Sequence, residues 1–193
     1  MADMKYATIV ADPPWPYVGR MRGTLYGDAR PSVMTSAPLP YSVMPVGDIK
    51  KLPVSQWADA NAHVYLWATQ RYLRDAFDVL RAWGFDLGAV LVWSKPPKGV
   101  VGTYVCSSEF VLFGRRGSLP HKKRHIGTVF EWSRGKHSEK PEAFLDLVES
   151  VSPGPYLELF ARRARFGWDY WGNESLETVE LLRGAESVFR GVS

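Results

Sequence analysis

The chain has 193 residues, 46% hydrophobic and 23% charged, with a net charge of +4 and one cysteine. That length fits a single domain, residues 1–193, with its own core, and the lone Cys106 excludes an internal disulfide framework and a zinc site built on paired thiolates. No apolar run is long enough to span a bilayer and no basic-then-apolar leader opens the sequence, so a cytoplasmic protein with no membrane partner and no metal is expected.

In chain order, Tyr6–Ala11 is a continuous apolar run, the pattern of a buried strand, and it ends at Asp12-Pro13-Pro14-Trp15. Residues 63–68 form a second strand. A helix follows over about 70–83, with Leu73, Ala76, Phe77, Leu80 and Trp83 at helical spacing and Gly84 placed to stop it. Residues 89–93 and 109–113 read as the next two strands. Ser138 is placed to cap a helix over about 140–151, whose Phe144, Leu147, Val148 and Val151 share a face, and Pro153-Gly154-Pro155 ends it. Strands over 156–161 and 168–171 come next, and a helix over about 175–190 closes the chain. Strands alternating with helices imply an α/β sheet covered on both faces. Two stretches, about 16–40 and 95–105, are Gly-, Pro- and Arg/Lys-containing and each follows a strand; they are expected to be mobile loops at the ligand-binding edge.

Asp12-Pro13-Pro14-Trp15 carries the chemistry. Two prolines in succession fix φ and remove two backbone donors, so the arm can only accept hydrogen bonds. Asp12 adds a carboxylate, and Trp15 a flat π-surface. Acceptors beside a stacking plate suit a planar base with an exocyclic amine: adenine's N6 donates two hydrogen bonds, one to Asp12 and one to the Pro13 carbonyl. Such a site would act by positioning and electrostatics, with no strong base. A rigid turn with a core tryptophan is the plainer reading of the same four residues.

At this point the sequence resembles the adenine-N6 methyltransferases of the MT-A type. The resemblance runs from about residue 5 to 174. It rests on Asp12-Pro13-Pro14-Trp15, on Leu39-Pro40-Tyr41-Ser42-Val43-Met44, on Val64-Tyr65-Leu66-Trp67-Ala68-Thr69 and on Val92-Trp93-Ser94-Lys95. It continues in His137-Ser138-Glu139-Lys140-Pro141, Glu158-Leu159-Phe160-Ala161-Arg162 and Gly172-Asn173-Glu174. The resemblance implies a Rossmann-like methyltransferase fold in permuted order, with the catalytic block before the cofactor strand. It implies S-adenosyl-L-methionine as cofactor, held by Asp12, Lys140, Phe160, Arg162, Asn173 and Glu174. Asp12, Pro13, Pro14 and Trp15 would be catalytic, and Tyr17, Arg20, Arg22, Tyr41 and Lys95 would meet the substrate. Beyond Arg162 the chain departs from the family: Arg163-Ala164-Arg165 stands where a His-Asn pair is common, and Glu174 replaces a glutamine.

The substrate implied is nucleic acid. DNA is favoured over RNA because small free-standing members of the family look like bacterial or phage DNA-modifying enzymes. A homodimer or a related silent partner subunit is compatible with the family. Arg20, Arg22 and Arg30 are candidates for phosphate contacts. Arg115-Arg116 and the 121–125 run are either a solvated tip or a second backbone track, and His137 is more plausibly structural. The competing readings are a catalytically silent nucleic-acid scaffold of the same fold, and an unrelated nucleotide-binding enzyme. The intact tetrapeptide argues against the first, and the lack of a Gly-rich phosphate loop argues against the second.

Overall fold

A computed structural model describes residues 5–16, 43–95, 104, 106–133 and 139–171. In chain order the elements are β1 (Tyr6–Ala11), α1 (Val46–Lys51), α2 (Val54–Trp57), β2 (Ala58–Ala68), a 3-10 turn at Gln70–Tyr72, α3 (Leu73–Ala82), β3 (Asp86–Ser94), β4 (Ser108–Arg116), β5 (Val129–Glu131), α4 (Glu142–Val151), β6 (Tyr156–Leu159) and β7 (Trp168–Trp171). The strands form one sheet in the order β5-β3-β4-β2-β1-β6-β7. Neighbours pair in parallel except β4, which runs antiparallel to both β2 and β3. This is the α/β fold expected from the alternation of strands and helices.

Every residue of β1 is buried, as the middle strand of a sheet covered on both faces must be. Its side chains alternate: Ile9 and Ala11 join a core cluster with Ile49, Val79, Leu80 and Trp83 under α1 and α3, while Val10 joins Tyr65, Trp67, Phe144 and Val148 under α4. β2 repeats the alternation, sending Val64 and Leu66 to one layer and Tyr65 and Trp67 to the other. The helix layer on the α3 side lies close to the strands at Gly114, where a Cβ would sit 2.6 Å from Leu80 and 2.7 Å from Val64. Trp83 is fully buried and its indole donates to the Ile49 carbonyl at 2.9 Å, which ties α3 to α1.

Several boundaries differ from expectation. α1 and α2 were not foreseen, nor was β5. β2 starts five residues earlier than position 63, in a polar stretch whose Asp59 and Asn61 are exposed. The helix expected from 70 opens as a 3-10 turn, and α3 proper starts at Leu73. Gly84 does end it, at φ 80°. α4 begins at Glu142, not Lys140, with Pro141 at its N-cap and no side-chain cap; Ser138 lies outside the described residues. β6 stops at Leu159 because Phe160 turns to φ 64°, which no strand residue can adopt. The expected helix at 175–190 and both long loops fall largely or wholly outside the described residues.

Candidate active site

The pairing registers put one group of chain segments at one edge of the sheet. Ala11 pairs with Leu66 and Leu159, Ala68 with Phe110, and Ser94 with Ser108. Asp12, Lys95, Glu109 and Phe160 therefore cluster at the carboxyl ends of the parallel strands, the edge where open α/β sheets bind ligands.

Asp12 follows the central strand directly and its side chain is 20% exposed. The proline arm beyond it is clamped. Trp15 donates its backbone N–H to the Pro13 carbonyl at 2.8 Å, and the Pro14 carbonyl accepts the Met44 N–H at 2.8 Å. The Pro13 carbonyl thus keeps one lone pair for a substrate amine. Trp15 corrects the sequence reading. It is buried, its indole donates to the Trp67 carbonyl at 3.1 Å, and its ring stacks on Tyr72 with centroids 5.4 Å apart. The ring anchors the arm from inside; a stacking plate for a base would have to be presented to solvent.

Lys140, just before α4, donates to Asp12 Oδ2 at 2.8 Å and lies 3.3 Å from Glu109 Oε2. Glu109 in turn pairs with Lys95. Four groups from four segments make an alternating row, Asp12⁻–Lys140⁺–Glu109⁻–Lys95⁺. Each side chain is about one-fifth exposed or less. Both ammonium groups also lie against indole faces, Lys140 over Trp67 at 5.2 Å and Lys95 over Trp93 at 4.7 Å. Burial alone would push Lys140 down, but the Asp12 and Glu109 carboxylates outweigh it and raise its pKa. Burial alone would push Glu109 up, but Lys140 and then Lys95 outweigh it and hold it below the usual carboxylate range. Lys140 and Glu109 are thus each held in the charged form by their neighbours in the row. Lys95, expected to meet substrate, has its ammonium engaged by Glu109.

Next to this row lies a cleft lined by Asp12, Lys140, Phe144, Glu158, Phe160 and Arg162 among others. It joins the expected cofactor residues that are described: Asp12, Lys140, Phe160 and Arg162. Glu158 stands opposite Val10 on β6. Its pKa is pushed up to about 7, first by burial and then by the Asp12 charge. Phe160, with its left-handed backbone, bends the chain out of β6 and around the cleft, a strained conformation of the kind that clusters at ligand sites. Tyr17, Arg20, Arg22, Arg30, Tyr41, His137, Asn173 and Glu174 lie outside the described residues.

Glu109 and Glu158 are the site residues that sequence reasoning passed over. Each is a single charge inside an otherwise apolar strand run, and that is the signal that could have found them. The basic stretch at 115–125 is not near the site. Arg115 and Arg116 end β4 beside Ala62 and His63, at the opposite edge of the sheet. The nine residues of β4 put them about 27 Å from its site end. Lys122 there bonds Glu149 O and Tyr156 OH.

Comparison with known proteins gives the same direction. The MT-A70 family profile matches residues 6–174. Over 182 residues the chain is 32% identical to the type II methyltransferase M.MunI of Mycoplasma sp, covering 88% of this chain and 78% of that one. It is 26% identical to the human N(6)-adenine-specific methyltransferase METTL4, over 89% of this chain. It is 24% identical to the human N(6)-adenosine-methyltransferase catalytic subunit METTL3, over 92% of this chain. It spans only 38% and 29% of the length of those two human relatives.

Proposed function

Because the chain belongs to the MT-A70 family, we propose that the cleft beside Asp12 takes S-adenosyl-L-methionine and that the methyl group goes to adenine N6 in DNA. Methyl transfer is common to the named relatives, and two of them are named for the N6 of adenine or adenosine; the cofactor, the polymer and the residue roles are our reading. The observation that carries it is the pairing of Asp12 with Lys140 at the end of the central strand, beside a cleft holding the buried acid Glu158.

The cleft suits such a cofactor on charge. An amino-acid tail presents an ammonium and a carboxylate, and the lining supplies both partners: Glu158 and Asp12 as acceptors, Lys140 and Arg162 as cations. A carboxyl whose pKa stands at about 7 gains most from an incoming ammonium. By resemblance Asn173 and Glu174 would bond the ribose. The cofactor supplies a methyl group made electrophilic by a sulfonium sulfur.

The protein's own groups do the rest. Asp12 and the free lone pair of the Pro13 carbonyl accept the two N6 hydrogens, which orients the nitrogen lone pair toward the cleft. As that nitrogen takes the methyl group from the sulfur, which would be left as a neutral thioether, it becomes cationic, and the Asp12 carboxylate stabilises the charge until the proton passes to solvent water. Lys140 keeps Asp12 in one place, and Glu109 keeps Lys140 from swinging away. The buried Trp15 and the Tyr72 ring beneath it keep the arm rigid. In a duplex the target adenine must leave the stack to reach this edge.

DNA is favoured because a relative matched over most of its own length is a type II methyltransferase, whereas the adenosine-methyltransferase METTL3 is matched over under a third of its length. The test is to incubate purified protein with labelled S-adenosylmethionine and separate DNA and RNA pools, then analyse the nucleosides by mass spectrometry. N6-methyladenine in DNA is expected. The same product in RNA alone would overturn the choice of polymer, and none in either would overturn the reading of the cleft.

A further inference from the structure

The connection from β6 to β7, residues 161–167, forms one wall of the cleft with Arg162 and Arg163, and the approach to α4 forms the other with Glu139, Lys140 and Pro141. No helix occupies this crossover, so little regular hydrogen bonding holds it. Among its backbone groups, Ala161 N–H reaches the Trp171 carbonyl at 2.9 Å and the Arg165 carbonyl accepts the Trp168 N–H at 3.2 Å. What fastens it to α4 is side-chain chemistry. Arg165 places Nε 2.9 Å and Nη2 3.0 Å from the two oxygens of Glu149, a bidentate fork, and the same Nη2 reaches Asp146 at 2.6 Å. The Trp168 indole donates to Glu149 at 2.6 Å from the other side, so the carboxylate is fixed from two directions. Nearer the cleft mouth Arg163 pairs with Glu139 at 3.3 Å.

We infer that Arg165 is a positioning residue that sets cofactor affinity by clamping the 161–167 wall to α4, without touching the cofactor itself. The geometry favours this over an ordinary surface ion pair. The fork is bidentate, the Arg165 side chain is only 19% exposed, and its acceptor is pre-oriented by a buried tryptophan. Asp146 and Glu149 lie about one and two turns into α4 from the segment carrying Lys140. The clamp therefore fixes the spacing between Arg162 and Lys140, cations that line the cleft from its two walls. The small Ala164 and Gly167 at φ 80° give the segment the turn it needs to bring Arg165 back onto the helix.

The inference rests on the reading of the cleft as a S-adenosylmethionine site, and the experiment separates the two. Arg165→Ala, Arg165→Lys, Glu149→Gln and the double variant Arg165→Ala/Glu149→Gln are compared with wild type. The readouts are calorimetric S-adenosylmethionine binding, steady-state methylation kinetics and hydrogen exchange of the 161–167 amides. Arg165→Ala should raise Kd and KM for the cofactor about tenfold and leave kcat within about twofold, the scale of one charge-assisted contact. Glu149→Gln should do the same in part, Arg165→Lys should recover part of the loss, and the double variant should be no worse than Arg165→Ala, because both changes remove one contact. The 161–167 amides should exchange faster in every variant. Unchanged Kd with only a lower melting temperature, a fall in kcat in place of a rise in KM, or unchanged exchange would overturn the clamp. Should Arg165→Ala fail to fold, Arg165→Lys and Glu149→Gln decide by the same readouts. Wild-type protein that binds no S-adenosylmethionine would sink the cleft reading, and the exchange measurement would still decide whether the segment is clamped.

Discussion

Asp12 works beside a cation it already holds, and that shapes what each neighbouring side chain can do. With Lys140 at 2.8 Å the carboxylate is held in one direction, with its second oxygen left to accept from an amine. Glu158 is a different case: burial first and then the Asp12 charge bring its pKa to about 7. In the ligand-free protein its ionisation weakens the fold as pH rises from its ordinary 4.5 toward 7, since the folded state holds the proton more tightly. A bound ammonium reverses that preference, because it favours the carboxylate, and binding then expels a proton. S-adenosylmethionine affinity should therefore rise roughly eightfold between pH 6 and pH 7.5 and level off above, with proton release at the lower pH. Calorimetry in buffers of different ionisation enthalpy reads both quantities, and Glu158→Gln should bind more weakly with no such slope. A flat wild-type profile would remove Glu158 from the cofactor site. At this scale the sequence was legible where chemistry is local. Asp12-Pro13-Pro14 could be read as an acceptor arm from its own three residues. Lys140, Phe160 and Arg162 came only through resemblance. Glu109 and Glu158 were missed because their facing the site depends on register, Trp93 opposite Glu109 and Val10 opposite Glu158, which no single segment encodes. Trp15 was misread because nothing in the tetrapeptide says that Tyr72 covers its ring.

Elements long enough to show a period were legible, and short ones were not. α3 and α4, at ten residues each, carry an apolar stripe that identifies them. α1 and α2, at six and four residues, are each preceded by proline and have no side-chain cap, so their helicity comes from packing Ile49, Val54 and Trp57 under the sheet. β5 has three residues and exists because β3 offers it an edge. The far end of β2 carries a consequence for stability. His63 is buried, bonds Ser152 through Nδ1 at 2.8 Å, and stacks on His121 with centroids 4.7 Å apart. Burial first, then His121 and Arg115, lower its pKa to about 4. A histidine depressed in the folded state leaves stability intact above its ordinary 6.5 and removes it as pH falls from 6.5 toward 4, because the unfolded chain takes the proton first. Wild type should lose about 2 kcal/mol more than His63→Gln between pH 7 and pH 5, as read by urea unfolding. Equal losses in the two proteins would mean that His63 is not the titrating group.

For the whole molecule, strand order decides function more than any one motif does. Placing β1 between β2 and β6, with β4 reversed, gathers Asp12, Lys95, Glu109 and Phe160 on one edge from four distant parts of the chain. The α/β class was legible in the alternation of elements, and the permuted order through the family resemblance. The reversal of β4 was not, since a strand's direction leaves no mark on its composition. The same topology sends the Arg115–Arg116 pair to the opposite edge from Asp12, a separation that charge density along the sequence does not reveal. No helix among the described residues is long and apolar enough to cross a membrane. All of this converges on one claim, that Asp12 at the end of β1 holds the adenine amine during methyl transfer. Asp12→Asn keeps the side chain's size but replaces an anionic acceptor with a group that can present a donor to a donor. Turnover at saturating S-adenosylmethionine, measured as N6-methyladenine formed per folded enzyme, should fall roughly a hundredfold or more, while cofactor affinity stays within about fivefold. Turnover near that of wild type would contradict the assignment and leave the fold as a nucleic-acid scaffold whose tetrapeptide is structural.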